Sequence, residues 1–133
     1  MEQEDVRRPY VDYKYYQDDY RGKQIASETD FKRIEKLAEA FVDRVTFGRI
    51  ARLQSIPDCV KDAICNAADT VALREEKNAY AVKSESNDGY SVSYGDVEKD
   101  PEFRSEMFSS VKSYLANTGL LYRGWSKDYD KKC

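Results

Sequence analysis

The side chains of this sequence that could carry chemistry are carboxylates, hydroxyls and thiols, with no imidazole to activate them. Acids pair at Asp18-Asp19, at Glu75-Glu76 and across Asp128 and Asp130. Two carboxylates do acid–base work when burial or a neighbour drives their pKa values apart. Each of these pairs stands in a charged run that reads as solvated. Ser84, Ser86, Ser91 and Ser93 have no histidine to act as base, which excludes a nucleophilic triad of the usual form. Cys59, Cys65 and Cys133 form no CxxC pair and lack the histidines of a mixed zinc set. Their odd, sparse count fits a reducing cytoplasm, with Cys65 on a buried helix face as a small apolar group. No phosphate-cradling GxxxxGK[ST] or GxGxxG occurs, and the apolar centre of the run 119–124 argues for packing. The expectation is a protein without catalytic, metal or cofactor-binding residues, and not an enzyme.

Composition points the same way. The 133 residues suffice for one domain, 41% are apolar and 35% charged, so a modest core sits under a very polar surface. The mean hydropathy of −0.82 and the absence of a long apolar run exclude a membrane-spanning helix, and the first residues lack the apolar centre of a signal peptide. A net charge of −3 offers no broad basic field for phosphate. Tyrosine is the outlier: 11 residues, five of them at Tyr10, Tyr13, Tyr15, Tyr16 and Tyr20. A large apolar face with a polar tip suits half-wet contacts between surfaces, or the edges of a small core.

The elements that would position these groups are mostly helical. Residues 1–9 read as a flexible N-terminus, 10–125 as a single helical domain and 126–133 as a charged tail. Thr29 is a suitable N-cap for a first helix whose apolar face is Phe31, Ile34, Leu37, Ala38, Phe41, Val42 and Val45. Lys32, Glu35, Lys36, Glu39 and Asp43 take its polar face, and Thr46-Phe47-Gly48 ends or bends it. After a basic connector, Pro57-Asp58 opens a second helix reaching to near Tyr80. Its alanine-rich face (Val60, Ala63, Ile64, Ala67, Ala68, Val71, Ala72) lets another helix approach closely and predicts a central position. Asp96–Asp100 reads as a charged loop, and Asp100-Pro101 starts a third helix with Phe103, Met107, Phe108, Val111, Tyr114 and Leu115 on one face. Asn117-Thr118-Gly119 stops it.

Between the second and third helices, Lys83–Gly95 breaks the pattern. Tyr90, Val92 and Tyr94 alternate with Ser91 and Ser93 at period two, after an Asp88-Gly89 turn signal. This predicts a strand or hairpin, and a lone strand needs a partner from its own chain or from another subunit. The fold class is therefore mainly α: a small bundle of three principal helices with a β excursion before the last.

Five segments in order, VDYKYYQDDYRG, AFVDRVTFGRI, VKDAICNAADTV, VKSESNDGYSVSYG and SYLANTGLLYRG, carry a resemblance that runs from about Tyr10 to Gly124. Together they resemble the head–tail connector (adaptor) proteins of long-tailed bacteriophages and prophages. The resemblance implies a structural virion protein at the head–tail interface, assembled in the host bacterial cytoplasm. Its copies would form a ring, with the portal's twelve-fold symmetry, beneath the portal vertex of the capsid. Such adaptors dock after DNA packaging and receive the stopper or tail-completion protein. The partners implied are the portal protein, further copies of the chain and the stopper, with DNA only as cargo in the channel and no membrane. In a ring one patch meets a different patch on the neighbour. Tyr90, Val92 and Tyr94 are expected at a subunit or portal contact. Leu120, Leu121, Tyr122 and Arg123 are expected either to dock on the portal or to pack along the last helix. The alternative is a small helical nucleic-acid-binding or regulatory protein, using Lys32, Arg33, Lys36, Arg49 and Arg52. Against it, the second helix carries Asp62, Asp69, Glu75 and Glu76, the wrong sign for a phosphate groove.

Overall fold

A computed structural model describes residues 8–81 and 92–121, which fold as a mainly helical bundle: α1 (Glu28–Val45), α2 (Asp58–Ala81), α3 (Tyr94–Lys99) and α4 (Pro101–Leu115). The three long helices lie where the apolar periodicity predicts them. Ser27, not Thr29, caps α1, its hydroxyl accepting the Asp30 amide at 3.3 Å. The α1 stripe of Phe31, Ile34, Ala38, Phe41 and Val42 is buried, with Leu37 and Val45 at its margin. α2 is central and packs on both α1 and α4. Its Val60, Ala63, Ile64, Ala67, Ala68 and Val71 are fully enclosed, because short side chains allow helix axes to come close. The Cys65 thiol is free and buried on the same helix, and burial pushes its pKa up. Asp100 caps α4 by accepting the amides of Glu102 (3.1 Å) and Phe103 (3.3 Å). The Phe103 amide leads in holding that carboxyl below its ordinary value.

Among the described residues there is no strand, and the predicted hairpin is not seen. Tyr90 and Ser91 lie outside the described residues; from Val92 onward the chain enters a helix. Ser93 and Asp96 close a capping box, with the Asp96 amide on the Ser93 hydroxyl (3.3 Å) and the Ser93 amide on the Asp96 carboxylate (2.9 Å). Two backbone donors are satisfied locally, so a helix wins over period-two alternation. The predicted loop Asp96–Asp100 is thereby mostly helix α3. Phe108 and Tyr114, assigned by spacing to the buried face of α4, are 37% exposed.

The N-terminal tyrosine cluster forms a strap, Arg8–Tyr20, across α1 and α2, with a turn of π-helix at Tyr15–Asp19. Tyr10, Val11 and Tyr16 are core residues. The rings of Tyr13 and Tyr16 meet Phe31 of α1 at 5.5 and 4.9 Å between centroids. Their polar tips settle the acidic side of α2. Tyr15 donates to Asp62 (2.9 Å), Tyr16 to Asp69 (2.7 Å), and Tyr20 to Asn66 (3.2 Å) and Asp69 (3.3 Å). Gly22 lies against the phenol end of the Tyr16 ring, where a Cβ would fall 2.3 Å from two ring carbons, so any other residue here would force the buried ring to shift. The α1 acids read as its solvated face are also under the strap: Glu35 and Glu39 are buried, accepting the backbone amides of Val11 (3.3 Å) and Tyr10 (3.0 Å). One cluster of buried residues runs from Tyr10 to Leu120. No helix among the described residues is long and apolar enough to cross a membrane.

Tyr16 is the critical contact of the strap, since its hydroxyl also accepts the buried Ile25 amide at 3.0 Å. Tyr16→Phe keeps the ring and removes both bonds. The expected loss is about 1.5–3 kcal/mol, the range for hydrogen bonds to charged groups, measured by urea unfolding. Burial raises the Asp69 pKa while the Tyr16 and Tyr20 hydroxyls oppose that rise, so the same variant should raise it further in a carboxyl NMR titration.

Candidate assembly surface

The segment returning to the bundle at Val92 is fastened by an acid that reads as solvated in the sequence. Glu75 of α2 accepts the Val92 amide at 2.9 Å and a two-pronged contact from Arg33 of α1 at 2.7 and 3.0 Å. One carboxylate thus joins α1, α2 and the entry to α3. The Val92 side chain is buried in the chain's own core. Tyr94 is half-buried and lines a groove of about 790 Å³ with Phe41, Val45, Val97, Pro101 and Phe108. The Arg44–Glu98 ion pair (2.7 Å) stands on its rim.

The other predicted segment is held from the connector after α1. Arg49 donates to the carbonyls of Gly119 (3.2 Å) and Leu120 (3.3 Å). The buried Thr118 hydroxyl donates to the Leu115 carbonyl (2.8 Å) and accepts the Leu120 amide (3.0 Å), closing the turn after α4. Leu120 is 1% exposed, the packing alternative rather than docking, and Leu121 is half-buried. Tyr90, Tyr122 and Arg123 lie outside the described residues. The two predicted segments therefore meet the same part of the molecule, the last turn of α1 and the connector that follows it.

That end of α1 contains a residue sequence reasoning passed over. The Phe47 amide bonds to the Arg44 carbonyl (3.2 Å) and the Gly48 amide to the Asp43 carbonyl (2.9 Å), the paired bonds of a Schellman stop. This motif needs a left-handed residue, normally glycine, and here Phe47 fills it at φ +59°. Its ring is 44% exposed, with the Arg49 guanidinium 5.2 Å from its centroid. A bulky residue in this conformation costs about 1–2 kcal/mol, and its exposed ring recovers little from burial. The available signal was Phe-Gly at a helix stop, with the aromatic one position too early for comfort.

Elsewhere, several basic side chains are engaged by acids. Besides Arg33 and Arg44, Arg74 contacts Asp100 (3.1 Å) and Glu106 (3.5 Å) and lies 4.5 Å from the centroid of the Phe103 ring. Among the described residues no group of three His, Cys, Asp or Glu side chains is arranged to hold a metal ion. No family model, curated protein or solved structure matches the chain.

Phe47→Gly relieves the left-handed strain, offset in part by the greater chain entropy of glycine in the unfolded state. The net expectation is a gain of about 0.5–1 kcal/mol in urea unfolding, a stabilisation obtained by deleting an aromatic side chain.

Proposed function

We propose that this chain is a head–tail adaptor, a structural subunit that forms a ring on the portal of a bacteriophage capsid and receives the stopper or tail-completion protein. The observation that carries the reading is Phe47, an exposed aromatic held in a strained conformation two residues past Val45, whose side chain lines the groove of Tyr94 and Phe108. Strain kept where a glycine would be easier marks a position retained for contact rather than for stability. Three of the five segments that carry the resemblance converge there: AFVDRVTFGRI supplies Phe47 and Arg49, VKSESNDGYSVSYG supplies Tyr94, and SYLANTGLLYRG supplies the turn gripped by Arg49. The acid partners of Arg33, Arg44 and Arg74 weigh against a phosphate-binding face.

The test mixes the purified chain with portal rings of the same phage and follows co-elution by size exclusion with light scattering. The wild-type chain is expected to bind, and Phe47→Gly, still folded, to bind at least about tenfold more weakly, a loss of about 1.4 kcal/mol. Equal binding by Phe47→Gly would remove the proposed contact. Salt-sensitive binding to a DNA fragment, with none to portal rings, would replace the adaptor by the nucleic-acid reading.

A further inference from the structure

The carboxyl pair Glu35–Glu39 has no part in the assembly surface, yet it is the most deeply buried ionisable pair described in the chain, 2% and 4% exposed. The two acids stand one turn apart on the same face of α1, which makes their buried carboxyl groups neighbours. Each also accepts a strap amide, Val11 on Glu35 Oε2 and Tyr10 on Glu39 Oε1. Two neighbouring carboxylates cannot both ionise out of water, whereas one carboxylate and one carboxylic acid make a good hydrogen-bonded pair. A cavity of about 460 Å³ between the strap and α1, lined by Val11, Tyr13, Phe31, Glu35 and Glu39 among others, gives the pair a route for proton exchange.

We propose that Glu35 and Glu39 form a proton-held latch: while one proton is shared between them, residues 8–12 of the strap are clamped on α1, and loss of that proton releases them. The charged and titratable groups around the pair come from three elements. On the strap, Arg8 binds Glu39 and also Asp43 (2.7 Å), Tyr10 donates its hydroxyl to Asp43 (3.2 Å), and Asp12 lies at the cavity rim. On α1, Glu28, Lys32 and Lys36 line the rim, and α2 contributes the neutral thiol of Cys65. Arg8 pairs with Glu39; among the described residues no cation forms an ion pair with Glu35, and the pull of the Arg8 charge on Glu35 is outweighed by burial.

Burial, with the Glu39 carboxylate adding to it, raises the Glu35 pKa to about 9 from an ordinary value near 4.5. The clamped state therefore keeps a proton that the released state gives up. Clamping is strongest below the ordinary value, weakens by up to about tenfold per pH unit as pH rises, and levels off above about 9. Tyr13, Tyr15, Tyr16 and Tyr20 have their own partners on Ile25 and α2, so the release stops at the strap's first segment.

The experiment is an NMR titration of the full chain from pH 5 to 10, following the Glu35 side-chain carboxyl and the Tyr10 and Val11 amides. The latch predicts a Glu35 midpoint well above the ordinary carboxylate range. It also predicts that protection of the two amides from hydrogen exchange, relative to Ile64 in α2, falls as pH rises. In Glu35→Gln, which keeps an acceptor for Val11 and a donor for Glu39 but cannot ionise, that fall should vanish. An ordinary Glu35 midpoint in the wild type, or amide protection indifferent to pH, overturns the proposal whether or not the variant folds. A fall that persists in a folded Glu35→Gln also overturns it.

Discussion

A buried polar group must be paired, and in this domain that constraint decides how the chain is wound. The central helix α2 carries apolar and alanine residues on the side that packs, but Asp62, Asn66 and Asp69 on another. The two acids can be covered only by donors, and the Asn66 amide oxygen also accepts one. Tyrosine supplies a donor together with a ring that is itself worth burying, so one side chain contributes both hydrophobic area and satisfaction of a carboxylate. The strap is the consequence. Its tyrosines seal α2 and the Phe31 side of α1 at once, and its backbone amides find acceptors in Glu35 and Glu39. Removal of the strap would expose apolar area and leave several acids facing an apolar crevice.

The same economy recurs where the chain returns to the bundle. Glu75 takes a guanidinium from α1 and a backbone amide from Val92, and Arg49 holds two carbonyls beyond α4. In each case one charged side chain fixes the backbone of a segment that also places an apolar residue, Val92 or Leu120, in the core. The ends of the irregular segments thus depend on polar contacts as well as apolar ones, while the long helices are placed chiefly by apolar ones.

This division explains what could be read from the sequence. Helix positions follow from a 3.6-residue apolar period and from caps such as Asp100-Pro101, and these are local signals. The acids were misread because solvated and buried carboxylates look alike in one dimension. Their spacing holds a clue: Glu35, Glu39 and Asp43 are four apart, Asp62, Asn66 and Asp69 share one face of α2, and the five phenols between Tyr10 and Tyr20 are a concentrated supply of donors. The Tyr90–Tyr94 alternation misled for the opposite reason. Ser93 and Asp96 satisfy each other's amides across three residues, and that local pairing starts a helix at Tyr94, where the alternation predicts the end of a strand. Of the surface residues expected from the sequence, Tyr94 lines the groove, Val92 and Leu120 are core, and Phe47 was missed because a strained backbone cannot be seen in residue types alone.

Strain and exposure coincide at one end of α1, and the adaptor reading rests on that end being the docking surface. The most direct measurement is hydrogen–deuterium exchange of the full chain with and without portal rings. The account predicts that binding slows exchange at Thr46–Arg49, through α3 and around Ser105–Phe108, and leaves the strap unchanged. Slowing confined to the Lys32–Lys36 stretch of α1, or no slowing anywhere, would contradict it.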